Sequence, residues 1–316
     1  MSKAMYRFRQ LGGWRLARTY ARMGLLPFAV RKFTVALISR KPLKLVHPEI
    51  SKRVVPKLQK KYEPLAKRLL EEYKDEGVHE TNPTVYNCWM QGLDSAPPLM
   101  KACLRSQREF IRNKDFVVIT EDNFREYVSL PQFILEKYEK GIIPHAHFTD
   151  LIRLQLLIER GGTWIDSTVL FSSGKYPDAI MDCPLFMFQY YQNGTKRFRG
   201  ISNWFISARS HNRLLSVLRD MLFEYWREYD CVVEYYVFHL FFQFIAKLCP
   251  QDIAAMPKGL SIFTLQMAGL LEKAYDEKVI GGITDRCSVH KLDFRKTKLS
   301  EAGQPTLCKH IISKWG

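Results

Sequence analysis

The chain has 316 residues, 47% hydrophobic and 13% aromatic, a core-forming composition that excludes a disordered or low-complexity polymer. Its seven cysteines are an odd number with no CxxC pair, which argues against a disulfide framework or a zinc knuckle and fits a reducing cytosol. The formal charge of +16 is concentrated at one end: residues 1–61 hold sixteen Lys or Arg against the acid Glu49, and the other 255 residues hold 32 basic and 31 acidic side chains.

Residues 1–80 read as a basic helical region with breaks at Gly12-Gly13, Pro27, Pro42, Pro48 and Pro56, closing with the charged segment Tyr62 to Glu80. Within it Tyr6, Phe8, Trp14, Tyr20, Leu26, Phe28, Val30, Phe33, Val35, Leu37 and Ile38 alternate with Arg7, Arg9, Arg15, Arg18, Arg22, Arg31, Lys32 and Arg40. An aromatic and basic amphipathic pattern suits an anionic membrane surface. The rival readings are a basic helical layer packed on the rest of the protein and, less favoured, a nucleic-acid contact. No apolar run is long enough to span a bilayer, and Arg15, Arg18 and Arg22 interrupt any signal-peptide core.

A second part, 81–316, opens after Pro83. Val85 to Met90 reads as a buried strand, Leu99 to Asn113 as a helix, and Phe116 to Thr120 as a second strand followed by a helix from Asp122, which is a βαβ start. Leu151, Leu154, Leu157 and Ile158 recur at helical spacing, Asp150 and Arg153 share a face, and Gly161-Gly162 supplies a left-handed stop. Trp164, Ile165, Val169 and Leu170 then form a strand pattern that leaves Asp166 at a strand end, where open α/β sheets bind ligands. Pro184 to Tyr191 and Trp204 to Ala208 read as strands, His211 to Glu228 as a helix, Tyr235 to Leu248 as a buried helix, and Cys287 to Leu292 as a short strand before a basic tail.

Asp150, Arg153, Gly161, Gly162, Trp164 and Asp166 together resemble the DxxR…GGxWxD signature of the capsular polysaccharide synthesis proteins, relatives of the family 32 glycosyltransferases and, more distantly, of the clostridial glucosylating toxins. The likeness runs from Val85 to Lys296: Cys88-Trp89-Met90-Gln91-Gly92 looks like the family's first-strand segment, and Ser288-Val289-His290-Lys291-Leu292 like its late His-Lys-Leu segment. It implies a GT-A-like, Rossmann-type α/β fold, a mostly parallel sheet flanked by helices, carrying the basic helical N-terminal region.

The resemblance also implies a chemistry. Sugar-nucleotide transfer needs a platform for the base, cations or a metal to neutralise the diphosphate, and polar groups for the sugar hydroxyls. Asp150 and Arg153 would hold the donor sugar, because a carboxylate accepts hydroxyl protons and a guanidinium donates to two oxygens. Asp166 would be the metal-proximal carboxylate, with Mn²⁺ or Mg²⁺ as cofactor and His290 as a further metal ligand. Trp89, Gln91 and Gly92 would meet the nucleotide, and Lys291 the diphosphate. Asp166-Ser167-Thr168 occupies the slot of a DxD motif, and Thr168 is a much poorer ligand for a hard cation than a carboxylate. His145, His147, Glu234 and His239 read better as structural residues than as ligands or acceptor contacts.

The expected activity is therefore transfer of a sugar, with retention, from a nucleotide-diphosphate donor to a polysaccharide or lipid-linked glycan precursor of a capsule or cell surface, at the cytoplasmic face of the membrane. The alternatives are a cell-wall polymer phosphotransferase and a non-catalytic membrane-associated scaffold.

Overall fold

The computed structural model describes residues 13–39, 46–73, 81–176, 180–191, 198–295, 298–301 and 303–316. The expected breaks at Gly12 and Pro42, the aromatic and basic residues before Gly13, and the end of the charged segment at Glu80 lie outside the described residues. In chain order the elements that matter here are α1 (Gly13–Arg22), α2 (Leu26–Ile38), α3 (His47–Glu72), β1 (Thr84–Cys88), α4 (Pro98–Phe110), β2 (Asp115–Ile119), α5 (Gln132–Glu139), α6 (His145–Arg160), β3 (Gly162–Ile165), β4 (Val169–Phe171), β5 (Leu185–Tyr191), β6 (Phe198–Ala208), α7 (Arg213–Glu228), α8 (Val237–Leu248), β7 (Val289–Lys291) and α9 (Leu307–Trp315).

The chain divides into two compact units, one of residues 1–75, 130–151 and 213–250, the other of residues 76–129, 152–212 and 251–316. The first unit thus joins its N-terminal segment to two later stretches of the chain. The reason lies in α3. Val54, Leu58, Tyr62 and Ala66 are fully buried, and this stripe packs against α7 and α8. Tyr62 meets Phe241 with ring centroids 4.7 Å apart, and its hydroxyl donates to Glu228 Oε2 at 3.1 Å.

Pro27 and Pro48 stand in the first turns of α2 and α3, where a missing N–H costs nothing. Pro56 does not break the chain as expected: α3 continues through it and through Pro64. Both prolines are exposed, so the carbonyls they leave unpaired can turn to water while the opposite face stays packed.

The second unit is built on a five-stranded sheet in the order β2-β1-β3-β6-β5. β1 pairs parallel with β2 and β3, and β6 is antiparallel to both of its neighbours, so four of the five strands share a direction. β6 is longer than its apolar end suggested, because Phe198 to Asn203 carry polar residues yet still pair with β5 through two register irregularities. Val85, Ile165, Phe186 and Phe205 are fully buried on the sheet, and Phe188 stacks on Trp204 at 4.8 Å. α4 presses Leu99, Ala102 and Cys103 against Leu307, Cys308 and Ile311 of α9. The two-stranded pair β4–β7 is antiparallel, with Val169 opposite Lys291 and Leu170 opposite His290.

The helix-to-strand turn behaves as read. Gly161 has φ +67° and its N–H donates to Leu157 O at 3.0 Å, ending α6 in the left-handed region. A Cβ there would stand 2.8 Å from Ser210 N, and one on Gly162 would stand 2.7 Å from Thr84 O. The glycines are therefore needed both for the turn and for close packing of β3 on β1 and on the end of β6.

Candidate functional site

β3 ends at Ile165, and the chain turns through Asp166-Ser167-Thr168 before β4. Backbone bonds fix this turn: Asp166 N–H donates to Trp204 O at 2.8 Å and Val169 N–H to Asp166 O at 3.0 Å. Buried side chains lock it further. Ser167 Oγ donates to Cys88 O at 2.8 Å, tying the turn to the end of β1. Asn87 Nδ2 donates to Ile165 O at 2.7 Å and to Gln107 Oε1 at 2.8 Å, while Gln107 Nε2 reaches Val169 O at 2.8 Å. A polar network satisfied in this way specifies one conformation.

Three donors converge on the carboxylate that the turn presents. Trp164 Nε1 donates to Asp166 Oδ1 at 3.0 Å, and Arg153 Nη2 lies 3.5 Å from the same oxygen. Lys291 Nζ donates to Asp166 Oδ2 at 2.9 Å and to Thr168 Oγ1 at 2.5 Å. The β4–β7 pairing delivers Lys291, and Leu292 N–H anchors it by donating to Thr168 O at 2.9 Å. Arg153 comes from α6, only 5% exposed, its guanidinium 4.9 Å from the Trp164 ring centroid and hydrogen-bonded through Nη1 to Asn203 O.

Burial alone would raise the pKa of Asp166, but Lys291 and then Arg153 outweigh it and hold the carboxyl below its ordinary value. Asp166 is thus met by two cations at the carboxyl ends of β1 and β3. About a quarter of the Asp166 and Lys291 side chains remains accessible, so an anionic ligand can reach them.

A resident divalent cation does not fit this donor set. Both oxygens of Asp166 already accept from cationic or indole donors, and the Lys291 ammonium lies between Asp166 and Thr168, where the second residue of a metal-binding pair would act. Among the described residues no three His, Cys, Asp or Glu side chains come together. His290, expected as a further ligand, is buried, and neighbouring residues of a strand point to opposite faces, so it turns away from the face that Lys291 presents to Asp166. Its Nε2 pairs with Ser172 Oγ at 3.0 Å, and burial lowers its pKa to about 4.

The nucleotide candidates follow β1. Trp89 is half-buried, its N–H donating to Ile119 O at 2.9 Å, its indole donating to Ser95 Oγ at 3.3 Å and meeting Phe294 edge-on at 5.6 Å. Gln91 is exposed, and nothing lies within 4 Å of where a Cβ on Gly92 would stand. Asp150 is half-buried on α6, one turn before Arg153. His147 is buried edge-on against Trp226 and Tyr235, with a pKa lowered by burial to about 4, and Glu234 is buried with Ser51 donating to it. Both keep the structural reading.

Sequence spacing missed Asn87, Gln107, Asn203 and Phe294. Asn87 had a visible signal, a polar residue inside an apolar strand. Gln107 acts through its side-chain amide, Asn203 through its backbone carbonyl and Phe294 through its ring, and their spacing in the sequence carries no pattern.

A family model described as "Capsular polysaccharide synthesis protein" matches residues 36–311. The chain belongs to that family. The match extends well N-terminal of Val85, into α2 and α3, so family membership covers both compact units. No curated protein matches the chain. Among solved structures this capsular polysaccharide synthesis protein is similar to the PaToxG glycosyltransferase, with 13% identity over 62% of this chain and 79% of that one and a TM-score of 0.36.

Proposed function

We propose that the protein is a GT-A-type glycosyltransferase that uses a nucleotide-diphosphate sugar and extends a capsular or cell-surface polysaccharide precursor, with retention at the anomeric carbon. The observation that carries this reading is the convergence of the Lys291 and Arg153 cations on Asp166 at the strand ends. In the proposed reaction the bond from the anomeric carbon to the diphosphate oxygen breaks, and an acceptor hydroxyl attacks from the same face. The departing diphosphate takes the hydroxyl proton. Such a step needs charge stabilisation and positioning more than a strong base.

In this reading Lys291 meets the departing diphosphate, with Thr168 helping to orient its ammonium, and Arg153 and Asp150 contact donor-sugar hydroxyls. Asp166 holds Lys291 and Arg153 in place, and Trp89, Gln91 and Gly92 meet the nucleotide. The acceptor is a lipid-linked or polymeric glycan at the cytoplasmic face of the cell membrane. The test is incubation of the full chain with a panel of sugar nucleotides while free nucleotide diphosphate is measured. Release from at least one donor is expected; no release from any donor, with no thermal shift from nucleotide diphosphates, rejects the reading.

A further inference from the structure

Helix α2 is built inside out. Its buried residues are the small Ala29 and Ala36, while Val30, Val35, Leu37 and Ile38 are 54, 52, 49 and 78% exposed. At 100° per residue, Leu37, Val30, Thr34, Ile38, Arg31 and Val35 fall in sequence around one arc of about 160°, and Ala29 and Ala36 fall on the other side. A helix of a water-soluble unit places its larger apolar residues inward; here they form a contiguous outward face. Exposed apolar surface of this kind marks an interaction site.

The neighbouring helix carries the matching charge. On α1, Leu16, Thr19 and Tyr20 are buried, whereas Arg15, Arg18 and Arg22 are exposed together with Trp14, which is 77% exposed. From Gly13 to Ser39 the chain has five cations and no acid. Arg53 lies 4.3 Å from the Phe28 ring centroid, at the edge of the outward arc next to Val35.

We propose that the outward face of α2 and the cationic face of α1 form a docking surface for an anionic lipid bilayer, α2 lying in the plane of the headgroups. At about 1.5 Å per residue α2 is about 20 Å long, too short to cross the hydrocarbon core, and no described helix is long and apolar enough to do so. Apolar insertion and cationic attraction act together in such interfacial helices. A second copy docked through the same face would set these cations against one another, whereas an anionic bilayer complements both the apolar arc and the charge. The proposal is independent of the catalytic reading: it rests on α1 and α2 alone.

The test is co-flotation of the full chain with vesicles of phosphatidylcholine, with and without phosphatidylglycerol. Binding is expected only with the anionic lipid and is expected to weaken as salt rises. Val30→Glu with Ile38→Glu, and separately Arg15→Glu with Arg18→Glu and Arg22→Glu, should each weaken binding roughly tenfold or more. Because these side chains are exposed, circular dichroism and melting temperature should stay at wild-type values. Absence of vesicle binding by the wild type, or wild-type binding by both sets of variants, overturns the proposal. A concentration-dependent dimer that the α2 variant dissociates, without lipid binding, assigns the face to a second copy of the chain instead.

Discussion

The Lys291 ammonium stands 2.9 Å from Asp166 Oδ2 and 2.5 Å from Thr168 Oγ1, bridging the two ends of the Asp-Ser-Thr turn. A side chain on β7 thus places a positive charge between the two ends of the turn. The hydroxyl in place of a second carboxylate is consistent with that arrangement: its lone pairs accept from the ammonium, while the stronger, charge-assisted bond goes to Asp166.

Nucleotide-diphosphate affinity should therefore depend on Lys291 and not on added metal. Titration calorimetry with uridine or guanosine diphosphate in the presence of a chelator is expected to show binding by the wild type, loss of at least about tenfold in Lys291→Met, and partial recovery in Lys291→Arg. If binding requires Mn²⁺ and Lys291→Met matches the wild type in its presence, the charge role of Lys291 is wrong.

Asp166→Asn removes the anion that balances two cations, one of them buried. A loss of about 2 kcal/mol of stability is expected, read from denaturant unfolding. The pH dependence has a definite sign. Because the folded carboxyl is held below its ordinary value, its contribution is complete above the ordinary Asp range and is lost as pH falls through the lowered value. The Asn variant should lack that acid-limb component.

His147 and His290 should make the protein acid-labile in a higher window. Burial lowers both imidazoles to about 4 from the ordinary 6.5, so the unfolded chain takes up protons first as pH falls. Stability is expected to be complete above about pH 6.5 and to decline toward pH 4, by on the order of 3 kcal/mol for each imidazole. Melting curves of His147→Gln and His290→Gln should each be flatter than wild type across this window; an unchanged slope would show that these groups do not set it.

Gly161→Ala combines a left-handed φ with a Cβ placed 2.8 Å from Ser210 N. A destabilisation of about 2 kcal/mol or more is expected. Gly92→Ala meets nothing within 4 Å, but at φ +81° and ψ +151° it gives up a conformation that glycine alone adopts readily, a loss of about 1–3 kcal/mol with no packing part. Thermal unfolding measures both, and a loss below about 1 kcal/mol in Gly161→Ala would mean that the end of α6 tolerates the added methyl.

Local pattern was sufficient for much of this molecule. The helical spacing from Leu151 to Ile158, the Gly161-Gly162 stop, the strand-end position of Asp166 and the βαβ start are all properties of neighbouring residues, and short-range backbone preferences specify them. The motif likewise singled out Arg153, Asp166 and Lys291, which the structure brings together, because side-chain type and order along the chain are written in the sequence. What lay beyond it depended on distance through space. That Lys291 reaches Asp166 follows from the antiparallel pairing of two strands more than a hundred residues apart, and the same pairing turns His290 to the other face. That α3 runs through two prolines is decided by the packing of its opposite face on α7 and α8. The amphipathic basic pattern of the first helices was legible, but which side of α2 faces outward was not: periodicity defines the two faces of a helix, and only its packing partners decide which of them is buried.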